Sequence, residues 1–197
     1  MIIAVDGPAA AGKGTLARAI AKHFGFHFLD TGTLYRRVAL AVLKSGEDAG
    51  QVAQRLNDYA FNESELRSED VGAMASVVAV IPAVRSALLS FQRDFAAQKP
   101  GAVLDGRDIG TVVCPEAHVK IYVTASAEVR AKRRQEELKS YGQDVDFEAV
   151  LDDIRKRDER DSTRAVAPLL PAKDATILDT SDMTIEAAVA AAIRLVG

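Results

Sequence analysis

The sequence has very little cysteine. Cys114 is the only one in 197 residues, so an internal disulfide is excluded, and a single thiol is typical of a protein from a reducing compartment. Cys114 stands directly before Pro115, at the start of an apolar segment, where a small apolar residue is common. We therefore interpret it as a packing residue rather than a reactive group.

Long hydrophobic runs are also missing. The first residues, MIIAVDG, have no basic segment ahead of the apolar stretch, which ends at Asp6, so they are not typical of a signal peptide. The most apolar later segment, residues 74–89, is interrupted by Pro82 and Arg85 and is shorter than the roughly 18 residues needed to span a bilayer. The sequence therefore predicts a cytoplasmic protein with no membrane partner.

There is no excess of positive charge. The formal net charge is −3, whereas a general nucleic-acid binder is usually basic, so we expect no nucleic-acid partner. The histidines, His23, His27 and His118, have no spacing that would form a metal site with Cys114. A chain of this length without internal repeats is expected to form one well-buried domain, which can carry mobile appendages.

Short apolar runs alternate with helical patterns along the chain. The predicted strands are residues 2–6, 27–30, 101–105, 118–124 and 175–180. The predicted helices are residues 13–24, 33–44, several pieces within 48–98 broken near Asn62 and Pro82, and then 126–140, 146–161 and 185–196. Strands that alternate with helices indicate a parallel sheet covered on both faces, which is the α/β class.

The segment VDGPAAAGKGT follows the first predicted strand and opens a helix. Gly7 and Gly12 have the spacing of a phosphate-binding loop before Lys13, but Gly14 stands where serine or threonine is usual, and the hydroxyl comes one residue later at Thr15. Backbone N–H groups and the helix dipole can bind phosphate there, and the lysine adds a charge between the outer phosphates of a nucleotide. Glycine in the first turn of a helix costs about 1 kcal/mol relative to alanine, and its missing side chain lets the backbone approach the phosphates. We therefore predict a variant triphosphate site rather than a glycine-rich turn with a surface lysine.

Arginines and aspartates recur in two motifs that follow predicted strands. DTGTLYRR places Thr31 at a turn and Arg36 one turn into a helix. LDGRDIGT brings Asp105, Arg107 and Asp108 to the carboxyl end of a buried strand, where ligands bind in open α/β sheets. A second anion site facing the glycine-rich loop is the function that these residues suggest.

A third motif, KRDERDSTRAV, lies on the second of two highly charged helices. Arg157, Asp161 and Arg164 are spaced four and three residues apart, as on one helix face, and Arg130, Arg133 and Arg134 are spaced similarly upstream. Residues 130–164 contain ten basic and ten acidic side chains. A solvated surface of paired charges therefore remains an alternative to an anion site.

The loop with GKGT, followed in order by DTGTLYR, DGRDIGT and RDERDSTRAV, closely resembles cytidylate kinase of the bacterial type, a nucleoside monophosphate kinase. The resemblance extends from Ile3 to the LDTS segment. It implies Mg²⁺ and ATP as the phosphoryl donor system, CMP and dCMP as acceptors, and a place in pyrimidine nucleotide metabolism. It also implies a three-layer P-loop kinase fold, with a five-stranded parallel sheet in the order 2-3-1-4-5 and helical acceptor-binding and lid parts.

The same resemblance implies a division of the single domain into three parts. The core is made of about residues 1–30, 99–125 and 165–197, the acceptor-binding region of about residues 31–98, and the lid of about residues 126–164. The resemblance also implies ATP-binding positions, which are Gly7, Pro8, Ala9, Ala10, Ala11, Gly12, Lys13, Gly14 and Thr15. Lys13, Arg130, Arg133 and Arg134 match the family's catalytic positions, the three arginines on the transferring phosphoryl group.

The CMP-binding positions are likewise carried over from the resemblance. Arg36, Arg107 and Arg164 match the arginines that grip the CMP phosphate, and Thr31 matches a small hydroxyl residue at the acceptor site. Ser76, Arg85 and Asp108 match the residues that read the cytosine edge, and Arg157 and Asp161 match the ribose contacts. Asp105 matches an aspartate that orients magnesium through water, and Thr15 matches the hydroxyl on the metal.

The acceptor-binding region departs from the usual family pattern. Bacterial-type cytidylate kinases usually carry a sizeable insert with a small antiparallel sheet, but NDYAFNESELRSEDVGAM is short and lacks strand alternation, so we expect only helices there.

Two other functions remain as alternatives. A P-loop kinase of UMP, shikimate or dephospho-coenzyme A would share the loop, but it would not account for DGRDIGT with the distal arginines. A nucleotide-gated switch of the GTPase type would need Asn-Lys-x-Asp, which the chain lacks. No unexplained apolar stripe stands out, so a monomer is expected.

Overall fold

One parallel sheet organises the molecule. The computed structural model describes the backbone of residues 1–197 and every side chain except that of Glu69. Its strands are β1 (Ile2–Asp6), β2 (His27–Asp30), β3 (Ala102–Gly106), β4 (Val119–Thr124) and β5 (Thr176–Asp179). They pair in parallel in the order β2-β3-β1-β4-β5. This confirms the predicted class and strand order.

Helices cover the sheet and extend beyond it. They are α1 (Lys13–Phe24), α2 (Thr31–Ser45), α3 (Ala49–Gln54), α4 (Glu69–Val78), α5 (Pro82–Ala96), α6 (Ala127–Ser140), α7 (Phe147–Thr163) and α8 (Ile185–Arg194). Short 3₁₀ turns at Leu56–Asp58 and Glu65–Arg67 separate α3 from α4, and a π-helical turn, Ile109–Val113, follows β3. Between α2 and β3 the described backbone contains helices and turns but no strand, as the sequence predicted.

The central strand β1 is buried on both faces. Ile3 and Val5 pack in one apolar cluster with Ile20 of α1 and Ala192 of α8. Ala4 points to the opposite face, into a cluster that includes residues of α5 and the π-helical turn. A strand covered on both sides must be apolar along its whole length, which explains why IIAV reads as a continuous run rather than an alternating one.

Two further apolar clusters are formed mainly by helices beyond the sheet. Helices α2 to α5 share a cluster that includes Val38, Val78 and Val84, and α6 packs on α7 around Ala131 and Ile154. Among the described residues no single helix is long and apolar enough to cross a membrane. Asp70–Val78 and Pro82–Ala96 meet that test of length and composition only as a pair, bent by 94°.

The structure corrects the sequence-based boundaries at two places. Helix α2 begins at Thr31 rather than Thr33, because the Asp30 carboxylate accepts the Thr33 N–H at 3.3 Å and caps the helix there. Thr31 therefore lies in the first helical turn and not in a connecting turn. Arg164 follows the last residue of α7 with an extended backbone, so it does not share a helix face with Arg157 and Asp161.

The structure agrees with the interpretation of Cys114 as a packing residue. It is buried beneath the sheet beside Val113, and burial raises the pKa of its thiol to about 11. A thiol that stays protonated is a poor nucleophile.

Candidate active site

The loop between β1 and α1 holds backbone conformations that favour glycine. Gly7 has a φ of 146°, and a Cβ there would lie 1.9 Å from the carbonyl oxygen of Val123. Gly12, with a φ of 90°, is the residue directly before α1. Ala10 also has a positive φ, 57°, which costs about 1 kcal/mol or more when a side chain is present. The loop is thus held curved around the N-terminus of a helix, the arrangement that binds phosphate through N–H groups.

Lys13 is folded back into this loop. Its Nζ donates a hydrogen bond to the carbonyl oxygen of Pro8 at 2.7 Å, and the side chain is buried. Burial, together with the positive charge of Arg107, lowers the pKa of the Lys13 ammonium. A phosphate group beside it would supply the negative partner that favours the charged form.

Gly14 leaves room for an acidic neighbour. A Cβ at Gly14 would lie 3.3 Å from Oδ2 of Asp105. Asp105 is buried near the end of β3, and its Oδ1 has no hydrogen-bond partner among the described residues. Burial raises the pKa of this carboxyl group. The unusual glycine of GKGT therefore allows close approach of a carboxylate as well as of phosphate.

Two cavities meet beside Lys13. One, of about 280 Å³, is lined by residues from α2, α4, α7 and the end of β3, and we call it the arginine cavity. The other, of about 550 Å³, lies between the glycine-rich loop, α6 and the start of α8, and we call it the loop cavity. Four residues line both: Ala10, Lys13, Asp30 and Glu137.

The arginine cavity gathers the predicted acceptor residues from distant parts of the chain. All nine line it: Thr31, Arg36, Ser76, Arg85, Arg107, Asp108, Arg157, Asp161 and Arg164. The predicted magnesium residue Asp105 lines it as well. Of the glycine-rich loop, residues 10–15 line the loop cavity and Ala9 lines the arginine cavity. Gly7 and Pro8 line neither in the described structure, and their contribution is to the shape of the loop.

The arginine cavity contains buried guanidinium nitrogens that lack hydrogen-bond partners. Nε of Arg157 and Nη2 of Arg164 are buried and have no hydrogen-bond partner among the described residues. Burial lowers the pKa of Arg157 to about 10 and also lowers the pKa values of Arg164 and Arg36. Burying an unpaired charged donor costs free energy, so an anion that enters this cavity would be stabilised by several guanidinium groups.

The three arginines predicted for the acceptor phosphate keep donors available. Arg36 donates from Nη1 to the carbonyl oxygen of Leu66 at 2.8 Å. Arg107 donates from Nε to Oδ2 of Asp161 at 3.0 Å. Nη2 of Arg164 lies 3.7 Å from Oδ1 of Asp108, beyond hydrogen-bond distance. Because a guanidinium group carries five N–H donors, each side chain can still bind a ligand oxygen.

An acidic and a basic side chain lie next to each other in this cavity. Arg85 donates from Nη2 to the carboxylate of Asp108 and contacts the hydroxyl of Tyr35 at 3.4 Å. Both members of the ion pair are almost completely buried, at 11% and 8% side-chain exposure. Ser76 lines the same cavity and donates to the carbonyl oxygen of Gly72 at 3.4 Å. The cavity thus offers an adjacent acceptor and donor to a flat polar ligand.

The predicted lid arginines do not act as one face. Arg130 is buried, makes a bidentate ion pair with Asp158 of α7, and donates to the carbonyl oxygen of Ala9 at 3.3 Å. It lines neither cavity in the described structure. In this conformation Arg130 fastens α6 to α7 and to the glycine-rich loop.

The other two lid arginines reach different cavities. Arg133 lines the loop cavity and donates to the carbonyl oxygen of Thr180 at 2.8 Å. Arg134 lines the arginine cavity and forms an ion pair with Glu137 at 2.8 Å. Spacing along a charged helix did not predict this separation, because Arg133 follows Thr180 beyond β5, whereas Arg134 pairs with Glu137 on α6 itself.

The site offers oxygen atoms suited to magnesium. Among the described residues no group of three or more His, Cys, Asp and Glu side chains is arranged to hold a metal. Mg²⁺ usually needs only one or two protein carboxylates, because phosphates and waters fill its other positions. The buried, unpartnered Oδ1 of Asp105 and the exposed hydroxyl of Thr15 are donors of this kind, so the residues present fit the ion.

Comparison with known proteins decides the family. The family model for cytidylate kinase matches residues 3–197. The chain belongs to the cytidylate kinase family. A cytidylate kinase of Bradyrhizobium sp. (strain ORS 278) is 55% identical over 202 residues, covering 100% of this chain and 95% of that protein. One from Methylocella silvestris is 57% identical over 202 residues, covering 100% and 94%. The protein is therefore a nucleoside monophosphate kinase, as predicted, and a different acceptor class is not favoured.

Solved structures agree on the fold. A shikimate kinase from Bacteroides thetaiotaomicron has a TM-score of 0.51 at 15% identity, covering 100% of this chain and 98% of that one. The protein TT1252 from Thermus thermophilus has a TM-score of 0.52 at 20% identity, covering 100% and 95%. At these identities the likeness concerns the P-loop kinase fold alone.

The short acceptor region is shared within this part of the cytidylate kinase family. The alignment with the Bradyrhizobium protein spans 202 positions for a chain of 197 residues. A large internal insertion in that relative would have lengthened the alignment considerably. An acceptor region of this length is therefore not peculiar to this chain.

Three carboxylates at the site of this cytidylate kinase were not anticipated from the sequence. Asp30 and Glu137 line both cavities, and Asp6 is buried at the end of β1, directly before the glycine-rich loop. Asp6 and Asp30 stand at the carboxyl ends of β1 and β2, a position that could have marked them by the same rule that marked Asp105. No comparable signal exists for Glu137, which is one of many charges on α6.

Proposed function

We propose that this cytidylate kinase transfers the γ-phosphoryl group of ATP to CMP and dCMP, giving ADP with CDP or dCDP, in pyrimidine nucleotide metabolism. The triphosphate occupies the loop cavity and the monophosphate occupies the arginine cavity. The observation that carries this assignment is the position of Lys13, which lines both cavities where they meet. Arg36, Arg107 and Arg164 line the arginine cavity together with it.

The chemistry needs little covalent work from the protein. An oxygen of the CMP phosphate attacks the γ-phosphorus of ATP, the new P–O bond forms, and the bond to the β–γ bridging oxygen breaks to release ADP. Positioning and charge neutralisation provide most of the rate enhancement in phosphoryl transfer. The reaction therefore requires a site rich in guanidinium groups and needs no nucleophilic side chain.

The acceptor phosphate is bound by the three arginines that converge from separate elements. Arg36 comes from α2, Arg107 from the end of β3, and Arg164 from beyond α7. The unpartnered Nη2 of Arg164 gains a ligand oxygen on binding. Charge-assisted hydrogen bonds of this kind are roughly twice as strong as neutral ones, and their number fixes the orientation of the attacking oxygen.

The base is read by Asp108 and Arg85. Cytosine presents its 4-amino donor next to the unprotonated N3 acceptor, which matches an aspartate acceptor beside an arginine donor. Uracil reverses both polarities and would leave buried groups unpaired, which costs several kcal/mol. Adenine has the same local polarity as cytosine, so Asp108 and Arg85 alone do not distinguish AMP from CMP, and the shape of the cavity around the base has to do so.

The ribose is bound by Arg157 and Asp161. The unpartnered Nε of Arg157 is available to a sugar hydroxyl. Asp161 is held by Arg107, which links the ribose contact to the phosphate contact. Both CMP and dCMP are accepted because the phosphate and base contacts do not involve the 2′-hydroxyl.

Magnesium, when bound with ATP, neutralises charge on the β- and γ-phosphates. Asp105 would hold it through water, and Thr15 would offer its hydroxyl. The glycine-rich loop binds the phosphates by the N–H groups of residues 10–15, which line the loop cavity, and Gly7, Pro8 and Ala9 shape the loop behind them. Lys13 leaves the Pro8 carbonyl for the phosphates, whose negative charge favours its charged form.

The remaining parts of the proposal concern the appended helices. Residues 126–164 act as a lid in which Arg133 and Arg134 reach the transferring phosphoryl group, with Arg130 joining them once nucleotide displaces its present partners. Residues 31–98 form the acceptor-binding region, and the other segments form the core. The separate apolar clusters of α2–α5 and of α6–α7 support this division. We further propose that the enzyme is a cytoplasmic monomer without nucleic-acid or membrane partners.

A substrate panel tests the proposal. The purified enzyme is assayed for ADP release with ATP and Mg²⁺ against CMP, dCMP, UMP, AMP and shikimate. We expect turnover with the two cytosine nucleotides and a kcat/KM at least about a hundredfold lower for UMP, because two buried hydrogen bonds are mismatched. Equal turnover of CMP and UMP would remove Asp108 and Arg85 from the base site, and turnover of shikimate alone would replace the acceptor class.

A further inference from the structure

Asp6 connects the strand before the glycine-rich loop to the turn after β3. Its Oδ1 accepts the N–H of Ile109 at 2.8 Å and its Oδ2 accepts the N–H of Gly110 at 2.7 Å. The side chain is buried, with 6% exposure, and it lines neither cavity among the described residues. Asp6 is therefore not placed to touch either nucleotide.

The amide that Asp6 binds determines the orientation of Asp108. The Ile109 N–H belongs to the peptide group that follows Asp108, so holding it fixes ψ of Asp108, which is 26°. The first N–H groups of a helical turn have no hydrogen-bond partner within the turn. The two carboxylate oxygens of Asp6 supply a partner for the N–H of Ile109 and one for the N–H of Gly110. The carboxylate of Asp108 can therefore meet Arg85 only in the direction that this backbone allows.

The turn is closely packed on its other sides. A Cβ at Gly106 would lie 2.7 Å from Cδ1 of Ile109, and one at Gly110 would lie 3.1 Å from Cδ of Lys120. The ammonium of Lys120 is itself fixed, since it donates to Asp174 at 2.8 Å. A turn packed in this way has few alternative positions while the Asp6 contact is intact.

We propose that Asp6 is a positioning residue for base selection, which holds the Asp108 backbone so that its carboxylate faces the cytosine edge. This inference rests on the proposed function, because it assumes that Asp108 reads the acceptor base. Since Asp6 directly precedes Gly7, the same carboxylate joins the base-reading turn to the glycine-rich loop. We expect the loss of this carboxylate to change the selection of the acceptor base more than the binding of ATP.

The test is the Asp6→Asn variant. An amide can accept only one of the two N–H groups and turns its own NH₂ donor towards the other. Hydrogen bonds to charged groups contribute about 1.5–3 kcal/mol, so we expect the KM for CMP to rise about tenfold and the CMP-to-UMP ratio of kcat/KM to fall about tenfold. The KM for ATP should stay within about twofold, because the contacts of the loop with phosphate are backbone contacts. Burial raises the pKa of Asp6 to about 6, so assays at pH 8 keep the wild-type carboxylate ionised.

Asp94→Asn is the matched control, because it makes the same chemical change at an exposed carboxylate on α5 that lines neither cavity in the described structure; it should keep wild-type values of both KM constants. Unchanged CMP selectivity in Asp6→Asn, or an equal rise in the KM values for CMP and ATP, would overturn the inference. A wild-type enzyme without cytosine preference would instead refute the proposed function itself.

A measurement on the wild-type protein covers the case in which the variant does not fold. Amide hydrogen exchange should show Ile109 and Gly110 protected to a level close to that of Leu104 in the buried strand β3. Exchange of these two amides at the rate of exposed loop amides, in protein that is otherwise folded, would show that the contact does not hold and would end the proposal.

Discussion

Arg85 and Asp108 form an ion pair inside the arginine cavity, and both side chains are almost completely buried. Each therefore satisfies the other's charge while no ligand is bound. A ligand that offered neither a donor to Asp108 nor an acceptor to Arg85 would disturb this pair without replacing it. Cytosine offers both, and for this reason we propose that the pair selects the base and does not merely stabilise the fold.

The first prediction concerns this selection. Asp108→Asn should lower kcat/KM for CMP by about tenfold or more, because a charged acceptor is lost, while the activity with UMP should stay unchanged or rise, since an amide can donate to the uracil carbonyl. Steady-state kinetics with both nucleotides measure the ratio. Asp153→Asn is the control, because Asp153 lines the same cavity without an assigned base contact. A CMP-to-UMP ratio that survives in Asp108→Asn would contradict the assignment.

Lys13 provides the second prediction. Lys13→Ala should reduce kcat by about a hundredfold or more, because a charge that neutralises the transferring phosphoryl group is removed, while the protein remains folded by circular dichroism. Lys22→Ala makes the same change on an exposed position of the same helix and should leave kcat unaltered. Comparable activity of the two variants would show that Lys13 does not serve the reaction.

Local spacing was enough to predict the glycine-rich loop and the strands. The positions of Gly7, Gly12 and Lys13 are fixed by how a chain turns from a strand into a helix around an anion, and that geometry leaves a direct pattern in sequence. The convergence of residues such as Asp105 and Arg107 followed from a topological rule, since the carboxyl ends of parallel strands share one edge of the sheet.

The unpredicted features depend on partners distant in sequence. Arg130 pairs with Asp158 across two helices, and nothing in the spacing of Arg130 distinguishes it from the arginines beside it. The π-helical turn is too short to carry a periodic signal, and it is held by Asp6, which is 103 positions away. Such contacts are set by packing, and a single sequence does not reveal them.

Arg36 carries the third prediction. Arg36→Ala should raise the KM for CMP by roughly ten- to a hundredfold, because charge-assisted hydrogen bonds to the acceptor phosphate are lost, and should change the KM for ATP by less than about twofold. Arg37→Ala is a control at the next residue, which lies outside both cavities in the described structure and faces Glu63 and Phe61. Kinetics with CMP that match the wild type would remove Arg36 from the acceptor site.

The glycine-rich loop allows a comparison of two glycines. Gly7 and Gly25 both have positive φ, but a Cβ would collide with Val123 at the first and would meet nothing within 4 Å at the second. Gly25→Ala should cost about 1 kcal/mol from backbone strain alone. Gly7→Ala should cost clearly more, and it should abolish ATP binding as the loop shifts away from Val123. Denaturant midpoints and nucleotide titrations measure the two effects, and equal stability of the variants would show that the Val123 contact is not constraining.

The last prediction uses the buried carboxyl group of Asp105, whose pKa is raised because burial disfavours its charged form. The pKa of an aspartate in the unfolded chain is about 4, and that of Asp105 in the folded protein is higher. At pH values between the two, the native state binds a proton that the unfolded chain has released. Stability contributed by this group is therefore present at low pH and is lost as the pH rises towards neutrality. Asp105→Asn cannot ionise, so its free energy of unfolding relative to the wild type should increase from pH 4 to pH 7.5, by about 1–3 kcal/mol.

Urea unfolding at several pH values measures this difference in the free energy of unfolding. For Asp174→Asn we expect the opposite change with pH. Asp174 is exposed, and its hydrogen bond with Lys120 lowers its pKa, so the wild type should gain stability over Asp174→Asn as the pH rises through the carboxyl range. The Asp105→Asn variant should at the same time lose most of its Mg²⁺-dependent kinase activity. A gain in stability at neutral pH coupled to a loss of activity would show that the buried carboxylate is kept for the metal rather than for the fold. A difference that stays constant or falls with rising pH would contradict the raised pKa.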